Sequence, residues 1–320
     1  MKRQNSYNNE DMRVVGMDNT SKLMLGTAQL GGKYGIANVA GIPSMQKSCE
    51  LIQYAVSSGI GYLDTAPGYG DSEKIIGDCL NKFDLNSRPI IVTKLSSIQA
   101  LGFQTEKERK NFIYSSIKSS LENLKLSALD TCLLHDPRDM NYQNGEIIKV
   151  LRELKERGMI HRIGVSVYDL QDVEMFLSLD CFDSIQIPVN LFDQRMTGNG
   201  MLEKLSEKGI EVFARSIYLQ GLLLMDPANL PDQLKQAKKP LELLAKYSKD
   251  TGISVKELAF LFVRDLPGIS RIIIGCETID QLRENLTLME LPPLKKETIQ
   301  EICQLFIDIP IKIMDPRMWK

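Results

Sequence analysis

The chain has 320 residues, 43% of them hydrophobic, enough for a full core in two domains or in one large α/β barrel of about 250 residues or more. With 39 basic against 41 acidic residues its net charge is -2, which leaves no electrostatic footprint for nucleic acid or a membrane surface. No apolar run approaches the roughly 20 residues of a membrane span, and the six cysteines show no CxxC and no Cys/His cluster spaced for a metal. A reduced, cytoplasmic protein without structural zinc is the simplest expectation.

Residues 1–20, "MKRQNSYNNEDMRVVGMDNT", start with charge but lack the apolar region of a secretory signal. They read as a flexible leader to one domain spanning 21–320. From there short apolar runs alternate with longer helical patterns. "LMLGT", "GYLDT", "IIVTK", "TCLLH", "RIGVS", "SIQIP", "EVFARS" and "RIIIG" have strand composition, and between them lie amphipathic stretches such as "SCELIQYAVSSG", "FIYSSIKSSLENLKL" and "IIKVLRELKERG". Apolar strands separated by helices imply a parallel sheet covered on both faces. Eight such units fit a closed (β/α)8 TIM barrel better than a doubly wound sheet, and no GxGxxG follows any strand to favour the latter. The longest interruption lies between the seventh and eighth strands, where "LLLMDPANLPDQLKQAKKP" precedes helical patterns over Leu241–Asp250 and Ser254–Arg264.

Barrel enzymes build their sites at strand C-terminal ends. Here those ends are polar: Asp64, Lys94, His135, Ser166, Gln186, then Arg215 and Ser216. Each has a plain alternative. Asp64 suits a helix cap, Lys94 a solvated strand end, Tyr69 a loop aromatic packed on its own turn, and His135 a satisfied core histidine. His161, at the start of its strand, reads as structural. A ring of six polar strand ends is harder to explain piecemeal.

Together these residues resemble the aldo-keto reductase family, eight-stranded β/α barrels that use Asp, Tyr, Lys and His in that chain order. The resemblance runs from about Lys22 to Leu288 and rests on "DTAPGYGDSE" (Asp64, Thr65, Ala66, Tyr69, Gly70, Ser72, Glu73), "IIVTK" ending in Lys94, His135, the "GVS" at Gly164–Ser166 and "QLREN" at Gln281–Asn285. It implies reduction of a small-molecule carbonyl by hydride from NADPH, with NADH as the alternative. Tyr69 would be the general acid, Lys94 a cation hydrogen-bonded to its phenol and lowering its pKa, Asp64 the support of Lys94, and His135 a donor to the substrate oxygen.

For the cofactor the resemblance implies Ser166 and Gln186 at the nicotinamide carboxamide, Ser216, Leu219 and Gln220 at the pyrophosphate, and Gly275, Thr278, Gln281, Glu284 and Asn285 at the adenosine end. This sequence departs from the family in three places. Val167 replaces a common asparagine, with Asn190 a possible substitute or a loop cap. Gly275 and Gln281 stand where many members carry a lysine and an arginine for a 2′-phosphate, leaving Arg283 and the lysines of "KQAKKP" as stand-ins. Arg215 occupies the place of the aromatic residue on which the nicotinamide stacks, unless it pairs with Glu211 or Asp193. The "RSIYLQG" and closing "DPRMW" segments resemble the branch associated with bacterial surface-sugar or antibiotic-sugar pathways. Tyr34 and Trp319 are the candidate substrate-side residues, each with a structural alternative as turn or tail packing. Two other classes stay open here, a non-catalytic cofactor-binding barrel and a Schiff-base lyase using Lys94. Oligomeric state is not legible.

Overall fold

The computed structural model describes residues 22–36, 38, 41–82 and 88–319; the leader expected over 1–20 lies outside them. Eight parallel strands close into a barrel in sequence order: β1 (Leu23–Gly26), β2 (Tyr62–Asp64), β3 (Ile90–Leu95), β4 (Leu129–Leu134), β5 (Ile160–Ser166), β6 (Ser184–Pro188), β7 (Glu211–Arg215) and β8 (Arg271–Gly275). Closure is made by β1 against β8, with Gly26 opposite Gly275. All eight expected runs are strands.

The barrel interior is a small apolar cluster of Met24, Tyr62, Val92, Leu133, Phe213 and Ile273. The larger core lies between the outer face of the sheet and the helices. This division positions the site. Side chains alternate across a strand, so the residue two beyond an inward one also points inward, one layer nearer the C-terminal mouth. Two residues beyond Tyr62, Val92, Leu133 and Phe213 come Asp64, Lys94, His135 and Arg215. The polar strand ends thus converge above an apolar plug.

The helices follow their sequence signals. The helix flanking β3 and β4, α5 (Glu106–Leu124), opens on a capping box of Thr105 and Glu108. The next, α6 (Glu146–Glu156), buries Ile147, Ile148, Val150, Leu151 and Leu154 on one stripe. Next to α5 around the barrel, α2 (Met45–Ser57) and α3 (Ser72–Leu80) are joined by a disulfide between Cys49 and Cys79, whose Cα atoms are 5.1 Å apart. The expectation of an all-reduced chain is corrected at this pair. The two cysteines are thirty residues apart, with no motif to mark them, and meet only because the two helices pack side by side. Cys132, Cys181, Cys276 and Cys303 are free thiols.

The excursion between β7 and β8 begins with tight turns at Leu219–Leu224, Pro227–Asn229 and Asp232–Ala237 and continues as α9 (Lys238–Thr251) and α10 (Val255–Arg264). No helix among the described residues is long and apolar enough to cross a membrane.

Candidate active site

Tyr69 is set by backbone approach. Its loop runs against the first short helix, α1 (Ala28–Gly31), so closely that a Cβ on Gly31 would lie 1.7 Å from the Tyr69 carbonyl oxygen. A Cβ on Gly70, itself at φ +58°, would lie 2.2 Å from the Gly31 oxygen. Only glycine fits at both positions. Buried hydroxyls fasten the same junction: Thr65 Oγ1 donates to Ser72 Oγ at 3.0 Å, Ser72 Oγ donates to the Thr27 carbonyl at 3.1 Å, and Thr27 Oγ1 donates to the Asp64 carbonyl at 2.7 Å. The neighbouring acid, Glu73, is buried and accepts from Thr93 Oγ1 at 2.6 Å, which anchors the start of α3 to β3.

The four residues of the suspected catalytic set do meet. Lys94 Nζ donates to Asp64 Oδ1 at 2.6 Å and to the Thr65 carbonyl at 2.9 Å, and Gln186 Nε2 donates to the same Asp64 oxygen at 2.8 Å. Lys94 Nζ is 4.9 Å from the Tyr69 ring centroid, and the rings of Tyr69 and His135 meet edge to face with centroids 6.0 Å apart. The expected electrostatics of Tyr69 need correction. No hydrogen bond joins Lys94 to the phenol among the described residues: two of its three N–H donors go to Asp64 and Thr65. Burial pushes the Tyr69 pKa up rather than down, Asp64 adds to the rise, and the charge of Arg215 opposes it. Burial, with Lys94 and Arg215 nearby, lowers His135 to about 4. Around neutral pH both are therefore uncharged and able to donate.

Of these groups Asp64, Tyr69, Gln186 and Arg215 line one end of a cavity of about 370 Å3 at the barrel mouth, within the range of small-molecule sites, while Lys94 and His135 stand behind them and are not among its lining residues. Ser216 and Gln220 line its middle, and Gly275, Gln281, Glu284 and Asn285 the end at α11 (Ile279–Met289). The middle segment is held in an uncommon conformation, with Ser216, Leu219 and Gln220 all at positive φ (61°, 49° and 55°). Tyr218 ties it to α11 by donating its hydroxyl to Asn285 Oδ1 at 2.8 Å. Thr278 caps α11, accepting from the Gln281 amide, and Gln281 Oε1 accepts from the Glu277 amide at 2.7 Å.

Other expected residues are placed differently. Ser166 is buried behind Gln186, 3.4 Å from its Oε1, and Leu219 is buried beneath its turn. Tyr34, 40% exposed, lines the cavity, and such desolvation as it feels there moves its pKa upward. Trp319, expected on the substrate side, is not among the lining residues; its indole donates to the Lys312 carbonyl at 3.1 Å and packs the C-terminal tail. Asn190 caps its own loop, accepting from the amides of Phe192 and Asp193.

The expected phosphate substitutes also fall outside the cavity. Arg283 pairs with Asp280 and faces the Tyr54 ring, Lys235 pairs with Asp232, and Lys238 lies near Glu242. The cation at that end is Lys256 of α10, ion-paired to Glu284. Arg215 pairs with neither Glu211, which holds Arg162, nor Asp193, which holds Arg195. Its Nη2 donates to the Val167 carbonyl at 2.9 Å, and its guanidinium centre lies 4.2 Å from the Tyr168 ring centroid. Lys256, Glu277, Tyr218 and Gln29 also line the cavity, and the sequence reading did not reach them. Of these Tyr218 lies inside the "RSIYLQG" segment and Glu277 stands beside Thr278.

A closed eight-stranded barrel with an Asp–Tyr–Lys–His cluster at the strand C-terminal ends defines a class, and comparison with known proteins names it. Residues 22–307 match the aldo/keto reductase family, and the chain belongs to it. It is thus an NAD(P)H-dependent oxidoreductase. The uncharacterized oxidoreductase YqkF of Bacillus subtilis (strain 168) is 28% identical over 302 residues, 88% of this chain and 95% of that protein. D-arabinose 1-dehydrogenase of Saccharomyces cerevisiae is 25% identical over 299 residues, 86% of this chain and 84% of that one. Among solved structures, the holo form of aldo-keto reductase AKR11C1 from Bacillus halodurans shares the fold with a TM-score of 0.70 at 24% identity, covering 93% of this chain and 95% of that one. An aldo/keto reductase from Klebsiella pneumoniae in complex with NADP and acetate gives 0.65 at 21% identity, covering 89% and 91%.

Proposed function

We propose that the protein reduces an aldehyde or ketone, a sugar-derived one by preference, to an alcohol, with Tyr69 as the acid and Lys94, Asp64 and His135 around it. The observation that carries this reading is the neutral, half-buried Tyr69 phenol lining the cavity, with the ring of neutral His135 edge to face against it. When bound, the nicotinamide supplies the hydride. The charge that develops on the substrate oxygen is met by a phenol O–H and an imidazole N–H. Tyr69 then yields its proton, and the phenolate so formed is stabilised by the Lys94 ammonium and the Arg215 guanidinium. Tyr34, Gln29 and Asn38 give the cavity further polar lining, suited to a hydroxylated substrate. The alternative of a Schiff base is disfavoured by a Lys94 side chain with 0% exposure, held as an ion pair.

The cavity's polar lining, from Gln186 and Ser216 to Gln281 and Asn285, suits a dinucleotide cofactor. Gln186 and Ser166 are assigned to the carboxamide, Ser216, Leu219 and Gln220 to the pyrophosphate, and Gly275, Thr278, Gln281, Glu284 and Asn285 to the adenosine. NADPH is the proposed cofactor, with Lys256 as the cation that a 2′-phosphate would draw from Glu284. The carboxylates of Glu277 and Glu284 at the same rim favour NADH as the second reading. The same proposal makes it a cytoplasmic enzyme with small-molecule partners. Calorimetric titration with NADPH and NADH, followed by turnover on a panel of aldehydes and sugars, tests it; failure of both cofactors to bind would remove the assignment.

A further inference from the structure

The closing segment of the chain does not line the cavity, yet it reaches the ring that holds a residue that does. Arg317, in the turn Pro316–Met318, has its guanidinium centre 3.7 Å from the centroid of the Tyr168 ring, the same ring that Arg215 contacts at 4.2 Å. Its charge is met separately. Nε and Nη2 donate to the two oxygens of Asp315, which is 5% exposed, and Asp169 lies 3.7 Å away. Asp169 is itself held by Arg195 at 2.5 Å, and Arg195 by Asp193. Arg215 has no carboxylate partner among the described residues. Besides a long 3.4 Å contact from its Nη1 to Ser216 Oγ, its two anchors, the Val167 carbonyl and the Tyr168 ring, come from consecutive residues.

We propose that Arg317 is a positioning residue for Arg215, acting through the Tyr168 ring, so that the C-terminal turn sets the placement of the cavity's cation without touching the ligand. The inference rests on the reading of the cavity as a nicotinamide site. Two guanidinium groups on one ring repel each other unless one is neutralised. The Asp315 and Asp169 carboxylates do this for Arg317, which leaves it as a planar wedge that holds the ring. Arg215 keeps its full charge toward the cavity, where it opposes the upward pKa shifts of Tyr69 and Tyr34. A ring free to turn would release one of the two anchors of that charge. Trp319, fastened to the Lys312 carbonyl, keeps the turn in register.

The test is the ratio of Kd for oxidised to reduced cofactor, measured by calorimetry, because a cation beside the nicotinamide penalises the oxidised form and a purely structural tail would leave the ratio alone. Arg317→Ala and Tyr168→Leu are each expected to lower the ratio about threefold, the worth of one exposed cation–π contact. Tyr168→Phe, which keeps the ring, should behave as wild type. Arg317→Lys, which keeps the charge and loses the plane, should behave as Arg317→Ala. In an Arg215→Tyr background Arg317→Ala should have no further effect on the ratio. Lower melting temperatures with an unchanged ratio, or equal behaviour of Tyr168→Phe and Tyr168→Leu, would overturn the coupling while leaving the functional reading intact. A wild-type protein that binds neither cofactor form would overturn that reading and the coupling with it. The Arg317 side chain is 48% exposed, but its loss leaves the buried Asp315 carboxylate without that partner, and the Tyr168 pair decides the matter if Arg317→Ala is destabilised.

Discussion

Lys94 and Asp64 form a buried ion pair 2.6 Å long, with side-chain exposures of 0% and 7%. The Thr65 carbonyl and the Gln186 amide complete its hydrogen bonds. A buried pair is costly to break from one side because the remaining charge has no partner. Lys94→Met should lower unfolding free energy by about 3 kcal/mol or more and slow hydride transfer as well. Chemical denaturation and single-turnover kinetics separate the two effects. Wild-type stability with a slowed chemical step would show that Asp64 takes up a proton or another donor.

Tyr69→Phe removes the acid and retains the ring that meets His135 edge to face. General acid catalysis is worth at least about 10²-fold, so kcat should fall by that much while cofactor Kd stays near wild type. Steady-state kinetics beside a cofactor titration give both numbers. Wild-type turnover would exclude Tyr69 as the acid.

The strand pattern carried most of this site. Asp64, Lys94, His135 and Arg215 could be read as neighbours because each ends an apolar run, and strand periodicity turns each inward two residues after a core side chain. Residues brought in by helices and loops left no such trace. Lys256 reaches the cavity only because α10 returns across the mouth to meet Glu284 on α11. Gln29 does so from α1, where its amide fills the space that a side chain at position 275 would enter, its Nε2 lying 1.9 Å from where a Cβ on Gly275 would be. Arg283 was a reasonable phosphate candidate by position, but the turn of α11 points it at Tyr54 instead. The Cys49–Cys79 bridge depends on how two helices pack, and spacing along the chain holds no record of that.

His135 makes acid stability depend on one half-buried imidazole. Its folded pKa, lowered to about 4 chiefly by burial, lies below the unfolded value of about 6.5. The neutral form is favoured in the fold, so its contribution is fully present above pH 6.5. It is lost as pH falls from there toward 4, where the unfolded chain binds a proton that the folded one refuses. The loss amounts to about 3 kcal/mol over that window. His135→Gln should flatten this limb in denaturant melts taken between pH 7 and pH 4. A limb of equal slope in the variant would assign the acid sensitivity to other groups.

Arg215 offers the sharpest test of how this barrel treats its cofactor. The guanidinium is held by the Val167 carbonyl and the Tyr168 ring and lines the cavity next to Tyr69. A planar cation can stack beneath a nicotinamide as an aromatic ring would, but its charge disfavours the positive oxidised form relative to the neutral reduced one. That bias favours reduced-cofactor binding and hence carbonyl reduction. Arg215→Tyr keeps a stacking surface and removes the charge. The ratio of Kd for oxidised to reduced cofactor should then fall roughly tenfold, if the charge is worth about 1.4 kcal/mol. Calorimetric titration of both cofactor forms against both proteins reads it directly. Because the carboxylates of Glu211 and Asp193 are engaged by Arg162 and Arg195, no local ion pair competes for the guanidinium, and an unchanged ratio would mean that its charge is not felt at the nicotinamide.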